Sequence, residues 1–333
     1  MKKTINWGII GCGWIANKIA DSAAVLDGVK VVAAASRTPG KAEAFAEKHS
    51  IKNYYSDYAE LLKNDEVDAV YVATTHNFHY QNVKQVLEAN KPVLCEKPFT
   101  VNAGEMKSLI ALAERKQLFM MEAMPTRFLP AIEQVRMWLA EDIIGTVKQI
   151  RATFGFLFPF DPNHRMFNLD LAGGALLDAG IYPLSFANMV MKQKPVEIKA
   201  LGEIGSTGAD EQSSYILKYE SGCLALLNST VNAPVASRAE VIGTKGRITI
   251  PKDFFNAQEV WLELNNQEPV QKKFPHNDKI RFTFELEAAS ESIRNGLLEN
   301  EIMPLTDTLQ LMETIDEIKN QLGLVYGNDK LQF

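Results

Sequence analysis

Apolar and polar positions alternate with two different periods, which divide the chain into two parts. In the first part, apolar runs of strand length are separated by stretches of helical periodicity. The runs occupy 4–10, 30–35, a short segment near 54, 67–73, 93–96 and 118–122. Alternation of this kind is typical of a doubly wound α/β domain with a parallel sheet. The pattern predicts six strands and a first domain that spans residues 1–123.

Beyond residue 123, the apolar positions follow the period of two that is typical of half-buried strands. A helix at 129–140 is followed by strand signals at 147–158, 196–203, 213–219, 223–231, 238–242, 247–250, 260–264 and 270–274, and by amphipathic helices at 284–298 and 305–322. We expect an α+β domain over 124–333 with a large, mostly antiparallel open sheet that serves substrate binding and dimerisation. Its C-terminal helix would pack back on the first domain.

Helices cover only one face of such an open sheet. The other face would expose apolar surface in a monomer, so we expect it to form a homodimer or a higher homo-oligomer.

Composition and charge narrow the classes of partner. The net charge of −6 and the isoelectric point near 5.5 argue against nucleic acid and against an anionic membrane surface. The three cysteines are widely separated and have no metal-ligand spacing, which predicts reduced thiols and no metal site. Because no apolar run reaches the length of a membrane span, we expect a cytoplasmic protein whose partner is a small molecule.

A glycine-rich turn joins the first strand to the first helix. It has the G-x-G-x-x-G/A spacing of dinucleotide-binding folds and consists of Gly11, Cys12, Gly13, Trp14, Ile15 and Ala16. Gly11 allows the tight turn, Gly13 lets the backbone approach a diphosphate, and Ala16 keeps helix and strand close. The sequence predicts a Rossmann-type nucleotide site. A purely structural turn and a site for a nucleoside-type methyl donor are the alternatives.

The second strand ends in Ser36 and Arg37, where an Asp or Glu would accept hydrogen bonds from the ribose of NAD. A guanidinium is suited instead to the 2′-phosphate of NADP, with Ser36 as a further donor and Lys41 as a helper on the next helix. The sequence therefore predicts NADP in preference to NAD. The alternative is an ordinary surface role for Arg37.

Charged and polar residues also follow the fourth and fifth strands, at the sheet edge where ligands bind. The fourth strand opens onto a loop with the candidate cofactor residues Thr74, Thr75, His76, Asn77 and His79. The fifth strand ends in Glu96-Lys97-Pro98, where the proline stops the strand and the two charges require partners. We expect Glu96 and Lys97 at the cofactor site, with a solvated turn as the alternative.

Asp178 and Tyr182 lie four residues apart in a segment rich in small apolar residues, so one helix face would carry both. Two polar groups on an otherwise apolar face indicate a cleft. The alternative is a buried Asp–Tyr hydrogen bond that only locks the helix. Arg165, in the loop before this segment, and Arg127, at the domain junction, are candidate substrate contacts, with a surface role as the alternative for Arg165.

Together these motifs resemble the Gfo/Idh/MocA family, named after glucose-fructose oxidoreductase, inositol dehydrogenase and rhizopine catabolism. The resemblance extends over essentially the full length and includes the run 173–178 and the turn 243–246. It implies that Lys97 and Asp178 line the site. Tyr182 stands where many members have histidine, which looks more like the branch of dimeric dihydrodiol dehydrogenase and NADP-dependent xylose dehydrogenase. Met124 departs from the aromatic residue that is frequent in that branch.

The resemblance implies hydride transfer between a nicotinamide and a secondary alcohol or carbonyl of a pyranose sugar or a trans-dihydrodiol. The hydroxyl proton must also leave, and an ammonium near a phenol favours the phenolate. We therefore predict Tyr182 as the general base in oxidation, Lys97 as its electrostatic partner, and Asp178 as a group that binds a second hydroxyl or orients Tyr182. Lys97 as the proton carrier stays an alternative.

Two other functions stay open at this point. One is a cofactor-binding sensor or regulator without catalysis, which would be expected to lose Lys97, Asp178 or Tyr182. The other is a sugar–sugar oxidoreductase that never releases its tightly held NADP.

Overall fold

The computed structural model describes residues 3–277 and 280–330. The strands of the first part are β1 (Ile5–Ile10), β2 (Val29–Ala35), β3 (Asn53–Tyr55), β4 (Ala69–Val72), β5 (Val93–Glu96) and β6 (Met120–Ala123). They form a parallel sheet in the order β3-β2-β1-β4-β5-β6, which confirms the predicted doubly wound fold. The helices that connect them are α1 (Trp14–Ala23), α2 (Lys41–Lys48), α3 (Tyr58–Leu62), α4 (His79–Glu88) and α5 (Ala103–Lys116).

The reversal of strand order between β1 and β4 creates the crevice in which ligands of such sheets bind. Gly11 follows β1 at this point with a φ of +93°, and a Cβ there would lie 2.7 Å from the Ala73 carbonyl oxygen. Only glycine therefore fits the turn. Ala16 is fully buried in the first turn of α1, where its small side chain lets the helix pack close to the sheet.

The second part is built on an eight-stranded sheet. Its strands are β7 (Val147–Gly155), β8 (Glu197–Ile204), β9 (Asp210–Lys218), β10 (Leu224–Thr230), β11 (Arg238–Gly243), β12 (Gly246–Ile250), β13 (Glu259–Leu264) and β14 (Val270–Lys273). They follow the order β14-β13-β12-β11-β7-β10-β9-β8. Apart from the parallel pair β7–β10, the neighbouring strands are antiparallel, so the predicted mostly antiparallel sheet is confirmed.

The helices of the second part are α6 (Pro125–Phe128), α7 (Pro130–Ala140), α8 (Ile181–Met191), α9 (Thr283–Arg294) and α10 (Leu305–Leu322). Among the described residues, no helix has the length and apolar character needed to cross a membrane. Two C-terminal ends differ most from the predicted ones. The strand expected at 147–158 ends at Gly155, and beyond it the chain keeps only isolated backbone contacts with the end of β10, such as Phe158 N to the Val231 carbonyl oxygen at 2.8 Å. The helix expected at 284–298 ends at Arg294, because Gly296 adopts a φ of +68° that breaks it.

Helices of the second part hold the two sheets together. The last helix, α10, packs against α5 and β6 as well as β8, and α9 packs against α1. Asp316 on α10 accepts a hydrogen bond from the Ala103 backbone at 2.9 Å, and Trp7 Nε1 on β1 donates to Ser290 Oγ on α9 at 3.1 Å. These contacts fix the walls of the crevice. The division into domains at residue 123 stays a prediction.

Candidate active site

A cleft of about 850 Å³ opens at the carboxyl ends of the parallel strands and is lined by both parts of the chain. Most of the predicted site residues line it: Gly11, Cys12, Gly13, Trp14, Ile15, Ser36, Arg37, Lys41, Thr74, Thr75, His76, Glu96, Lys97, Arg165, Asp178 and Tyr182. Four predicted residues do not: Ala16, Asn77, His79 and Arg127. A cavity of this size and position suits an extended ligand such as a dinucleotide together with a small substrate.

The glycine turn offers its backbone to a ligand. Gly13 is the N-cap of α1, and a Cβ built on it meets no atom within 4 Å, so the space above the turn is open. The N–H groups of the first turn of a helix and the helix dipole favour an anion at this point. Cys12 is buried behind the turn, and burial raises the pKa of its thiol to about 11, so the sulfur is uncharged at neutral pH. The turn therefore fits a diphosphate.

Arg37 is held between two aromatic rings. Its guanidinium carbon lies 5.2 Å from the ring centroid of Tyr58 and 4.6 Å from that of Phe78. Stacking leaves the edge of the guanidinium free to donate to an oxyanion. Sequence reasoning missed Tyr58, because it lies in a helical pattern where an aromatic residue is ordinarily part of the core, and Phe78, because it is the apolar residue of a loop in which the polar residues drew the prediction.

The loop after β4 divides into residues that face the cleft and residues that support it. His79 is fully buried, with Nδ1 2.8 Å from the Pro98 carbonyl oxygen and Nε2 3.0 Å from that of Thr74. Asn77 Oδ1 accepts from Thr75 Oγ1 at 2.8 Å. The predicted cofactor contacts of Asn77 and His79 are thus not seen in the cleft, since both side chains bind the protein and hold the loop in shape.

Lys97 and Asp178 form a buried ion pair at the centre of the cleft. Lys97 Nζ lies 2.9 Å from Asp178 Oδ1 and 2.9 Å from the Asp178 carbonyl oxygen, and Arg165 Nη2 lies 3.3 Å from Oδ2. Burial alone would lower the pKa of Lys97, but the Asp178 carboxylate outweighs it and holds the pKa above its ordinary value. Burial would raise the pKa of Asp178, but Lys97 and Arg165 hold it below its ordinary value. Both groups are therefore charged at neutral pH.

His76 stands beside this ion pair in its neutral form. Its Nδ1 lies 2.9 Å from the Ala172 carbonyl oxygen, which can only accept, so Nδ1 carries the proton. Burial is the main cause that lowers the pKa of the ring to about 3. The other nitrogen, Nε2, lies 3.9 Å from Asp178 Oδ1 and is left as an acceptor.

Asp178 and Tyr182 both line the cleft, although the helix that carries them is irregular. Residues Leu176–Gly180 form a π-helical turn, and α8 begins only at Ile181. π-Helical turns occur frequently at functional sites. The Lys97 ammonium lies 5.1 Å from the ring centroid of Tyr182. No described residue forms a hydrogen bond with the Tyr182 hydroxyl, and Asp178 pairs with Lys97 and Arg165 instead, so the alternative of a locking Asp–Tyr bond is wrong.

An aromatic wall faces the ion pair. It is formed by Phe154, Phe156, Phe158, Phe255 and Phe282. The ring of Phe154 lies 4.9 Å from that of Tyr182 and 4.6 Å from that of Phe255. Sequence reasoning missed this wall, because phenylalanines at alternate positions of a strand indicate core packing. Charged side chains and aromatic rings thus line the same cleft.

Glu96 lies at the edge of the cleft and is tied to the first sheet. Its carboxylate accepts a hydrogen bond from the Tyr71 hydroxyl, and Oε2 lies 3.3 Å from the Lys97 backbone nitrogen. Burial raises its pKa above the ordinary value. Glu96 therefore fixes the end of β5 from which Lys97 enters the cleft.

Arg127 lies outside the cleft, which corrects the predicted substrate contact. Its side chain is almost fully buried. Nη1 is in an ion pair with Asp307 at 2.6 Å, and its other nitrogens donate to Ser185 and Asn188 on α8. Nη1 also donates to the Ile302 carbonyl oxygen at 3.2 Å, so Arg127 joins α6 to α8, to α10 and to the segment before α10.

The cleft does not contain the donors of a metal site. Within 3–277 and 280–330, no group of three or more His, Cys, Asp or Glu side chains is arranged to hold a metal ion.

Residues 5–124 match the family model described as oxidoreductase family, NAD-binding Rossmann fold, and residues 132–249 match the Gfo/Idh/MocA C-terminal domain. The trans-1,2-dihydrobenzene-1,2-diol dehydrogenase of Xenopus tropicalis is 37% identical over 330 residues, with 96% of this chain and 98% of the relative covered.

Two solved structures are also similar. A 3-ketoreductase from Actinomadura kijaniata, in complex with NADP and TDP-benzene, is 26% identical with a TM-score of 0.82 over 96% of this chain and 98% of that one. The aldose-aldose oxidoreductase from Caulobacter crescentus, complexed with glycerol, is 25% identical with a TM-score of 0.87 over 96% and 97%. With the glycine turn, the ion pair and these matches together, the chain belongs to the Gfo/Idh/MocA oxidoreductase family and is an NAD(P)-dependent oxidoreductase.

Proposed function

We propose that the protein is an NADP-dependent dehydrogenase that acts on one secondary hydroxyl, or the corresponding carbonyl, of a cyclic vicinal diol. The observation that carries the proposal is the composition of one cleft. Arg37 and the glycine turn line it together with Lys97, Asp178 and Tyr182. A trans-dihydrodiol is our first candidate substrate, and a pyranose sugar is the second.

The choice of NADP rests on charge at the end of β2. No acid follows this strand, and Arg37, Ser36 and Lys41 all line the cleft. An acid at this place would bind the ribose hydroxyls of NAD, whereas a stacked guanidinium binds a 2′-phosphate. The similar 3-ketoreductase structure also holds NADP.

We infer the substrate class from the charged and the aromatic side chains that line the cleft. Asp178 can accept hydrogen bonds from hydroxyl groups, and Arg165 and Lys97 can donate to oxygen. The aromatic wall suits the apolar face of a ring. A ring with neighbouring hydroxyls can bind the charged side chains through its hydroxyls and pack on the aromatic wall through its apolar face. This agrees with the dihydrodiol dehydrogenase activity named for the relative at 37% identity.

A nicotinamide bound in the cleft would supply the hydride acceptor for oxidation, and the protein must accept the hydroxyl proton. Lys97 is unsuited to this role, because its pair with Asp178 raises its pKa and keeps it protonated. Tyr182 has a hydroxyl without a partner among the described residues, and the Lys97 ammonium lies 5.1 Å from its ring. We therefore infer that Tyr182 carries the proton and that Lys97 and Asp178 orient the reacting hydroxyl.

An assay with the purified chain tests the proposal. Trans-1,2-dihydrobenzene-1,2-diol and a panel of pyranoses are offered with NADP or NAD, and the reduced nucleotide is followed by fluorescence. We expect turnover with at least one cyclic diol and a higher kcat/KM with NADP than with NAD. Turnover confined to acyclic alcohols, or a preference for NAD, would contradict the proposal.

A second candidate function is direct exchange of hydride between two sugars on a nucleotide that is never released. The similarity to the aldose-aldose oxidoreductase favours it. This function predicts that NADP stays bound through purification and that two sugars are converted without added nucleotide. A chain that purifies free of nucleotide and turns over added NADP has the first function.

A further inference from the structure

One cation of the cleft, Arg281, takes part neither in the Lys97–Asp178 pair nor in the Arg37 site. It lies two residues before α9 begins. Its guanidinium carbon is 5.0 Å from the ring centroids of both Phe255 and Phe282, and Nη2 donates to the Phe255 carbonyl at 3.2 Å. Nε is buried and has no hydrogen-bond partner in the described part of the chain. The side chain is thus held in a fixed position with donors to spare.

Among the described acids, Glu96 and Glu285 interact electrostatically with Arg281, and neither forms an ion pair with it. The Glu96 carboxylate is already engaged by Tyr71 and by the Lys97 backbone. Glu285 is fully buried, and burial raises the pKa of its carboxyl well above the ordinary value, which favours the uncharged form. None of the ion pairs between described residues involves Arg281. The positive charge therefore calls for an external anion.

The fold places the guanidinium of Arg281 in the cleft where a bound dinucleotide would have its diphosphate. In doubly wound folds the diphosphate binds at the N-terminus of the first helix. α9 packs against α1, and Arg281, just before α9, lines the same cleft as Gly13 and Trp14 at the start of α1. A planar guanidinium suits two phosphate oxygens at once.

We propose that Arg281 is a diphosphate-binding residue that reaches the nucleotide from the second part of the chain, opposite the glycine turn. It is a cofactor-positioning residue, because its contact fixes the nucleotide and brings the second part of the chain onto it. The inference rests on the use of a nicotinamide dinucleotide, and it depends neither on the choice of NADP over NAD nor on the substrate.

The test compares Arg281→Met and Arg281→Lys with the control Arg115→Met, which removes a charge from the exposed end of α5. Dissociation constants for NADPH and NADH are measured by fluorescence titration, and that of 2′-AMP, which lacks a diphosphate, by competition. Arg281→Met is expected to weaken NADPH and NADH by a similar factor of about 10 to 100, as for a lost charge-assisted hydrogen bond. It leaves 2′-AMP unchanged, and Arg281→Lys recovers part of the affinity.

Three results would overturn the inference: unchanged binding of both dinucleotides, an equal loss for 2′-AMP, or no recovery with Arg281→Lys in a variant that melts at the wild-type temperature. An increase in the KM of the substrate alone would make Arg281 a substrate residue, which also contradicts it. A native preference for NADH would refute the proposal that the cofactor is NADP. Arg281→Met would then still weaken NADPH and NADH by a similar factor, so failure of the NADP proposal can be told apart from failure of the Arg281 inference.

Discussion

Arg37 is the side chain on which the choice of nucleotide depends. Replacing it with alanine removes a guanidinium that Tyr58 and Phe78 hold in place at the end of β2. We expect Arg37→Ala to weaken NADPH binding by about 1.5–3 kcal/mol, the usual range for a hydrogen bond to a charged group, and to change NADH binding little. Fluorescence titration with both nucleotides measures this difference. Equal losses would mean that Arg37 supports the site without contacting the 2′-phosphate.

The sequence could predict that charged residues at strand ends lie in the cleft. It could not predict the position of residues that are placed by tertiary packing. Lys97 and Arg37 follow strands directly, so the sheet alone carries them to the cleft. Arg127 is also a cation that follows a strand closely. Its ion pair with Asp307, 180 residues away in the sequence, holds its side chain outside the cleft. His79 likewise turns inward because two carbonyl groups bind it. Such long-range partners leave no local signal in the sequence.

At the scale of the element, the π-helical turn at Leu176–Gly180 depends on one buried carboxylate. Asp210 Oδ2 accepts from the Leu176 backbone nitrogen at 2.7 Å, while Oδ1 is buried without a partner in the described chain. Burial raises the pKa of Asp210 to about 7. The folded state therefore holds a proton between pH 4 and pH 7 that the unfolded state has lost, and stability falls as the pH rises through this window.

Asparagine keeps an oxygen that can accept the hydrogen bond from Leu176 and cannot ionise. Asp210→Asn should therefore remove the fall in stability with rising pH. We expect the free energy of unfolding of the variant, relative to the wild type, to increase by about 2 kcal/mol between pH 5 and pH 8. Urea unfolding at the two pH values measures the difference. A difference that stays constant with pH would show that Asp210 does not titrate in this window.

Periodicity predicts the strands of the second sheet well and fails where a helix is irregular. The eight strands of the second sheet agree with the period-two pattern to within a few residues at either end. The π-helical turn could not be predicted, because it depends on the Asp210 contact and on the Lys97 ammonium that binds the Asp178 carbonyl. Both partners come from other elements.

Across the whole molecule, the second sheet has one face that is exposed along β9. On β9, alternate residues are exposed, and Ile216 at 47% exposure is the largest apolar one among them. We propose that this face joins two copies of the chain, because a C₂ interface buries such a surface against itself. The fold class could be predicted from sequence, and so could the packing of the C-terminal helix, α10, on the first part. The packing of α9 against α1 could not, since α9 looks like an ordinary amphipathic helix.

Light scattering of the wild type at low micromolar concentration is expected to give twice the mass of the 37.1 kDa chain. Ile216→Arg places a charge at the centre of the proposed interface and should shift the mass towards the monomer. The matched control is Val25→Arg, at an exposed apolar residue of the first part with 62% exposure, which should leave the dimer intact. A wild-type chain with the mass of a monomer would contradict the proposed interface.

The proposed function depends most on Tyr182, which we infer to carry the proton next to the ion pair of Lys97 and Asp178. Tyr182→Phe keeps the ring against Phe154 and removes only the hydroxyl. The most direct test is kcat of this variant with its best cyclic diol and NADP, next to its NADPH dissociation constant. We predict a loss of about 10²- to 10⁴-fold in kcat, as for a lost general base, with NADPH binding unchanged. Near-normal kcat in Tyr182→Phe would contradict the account.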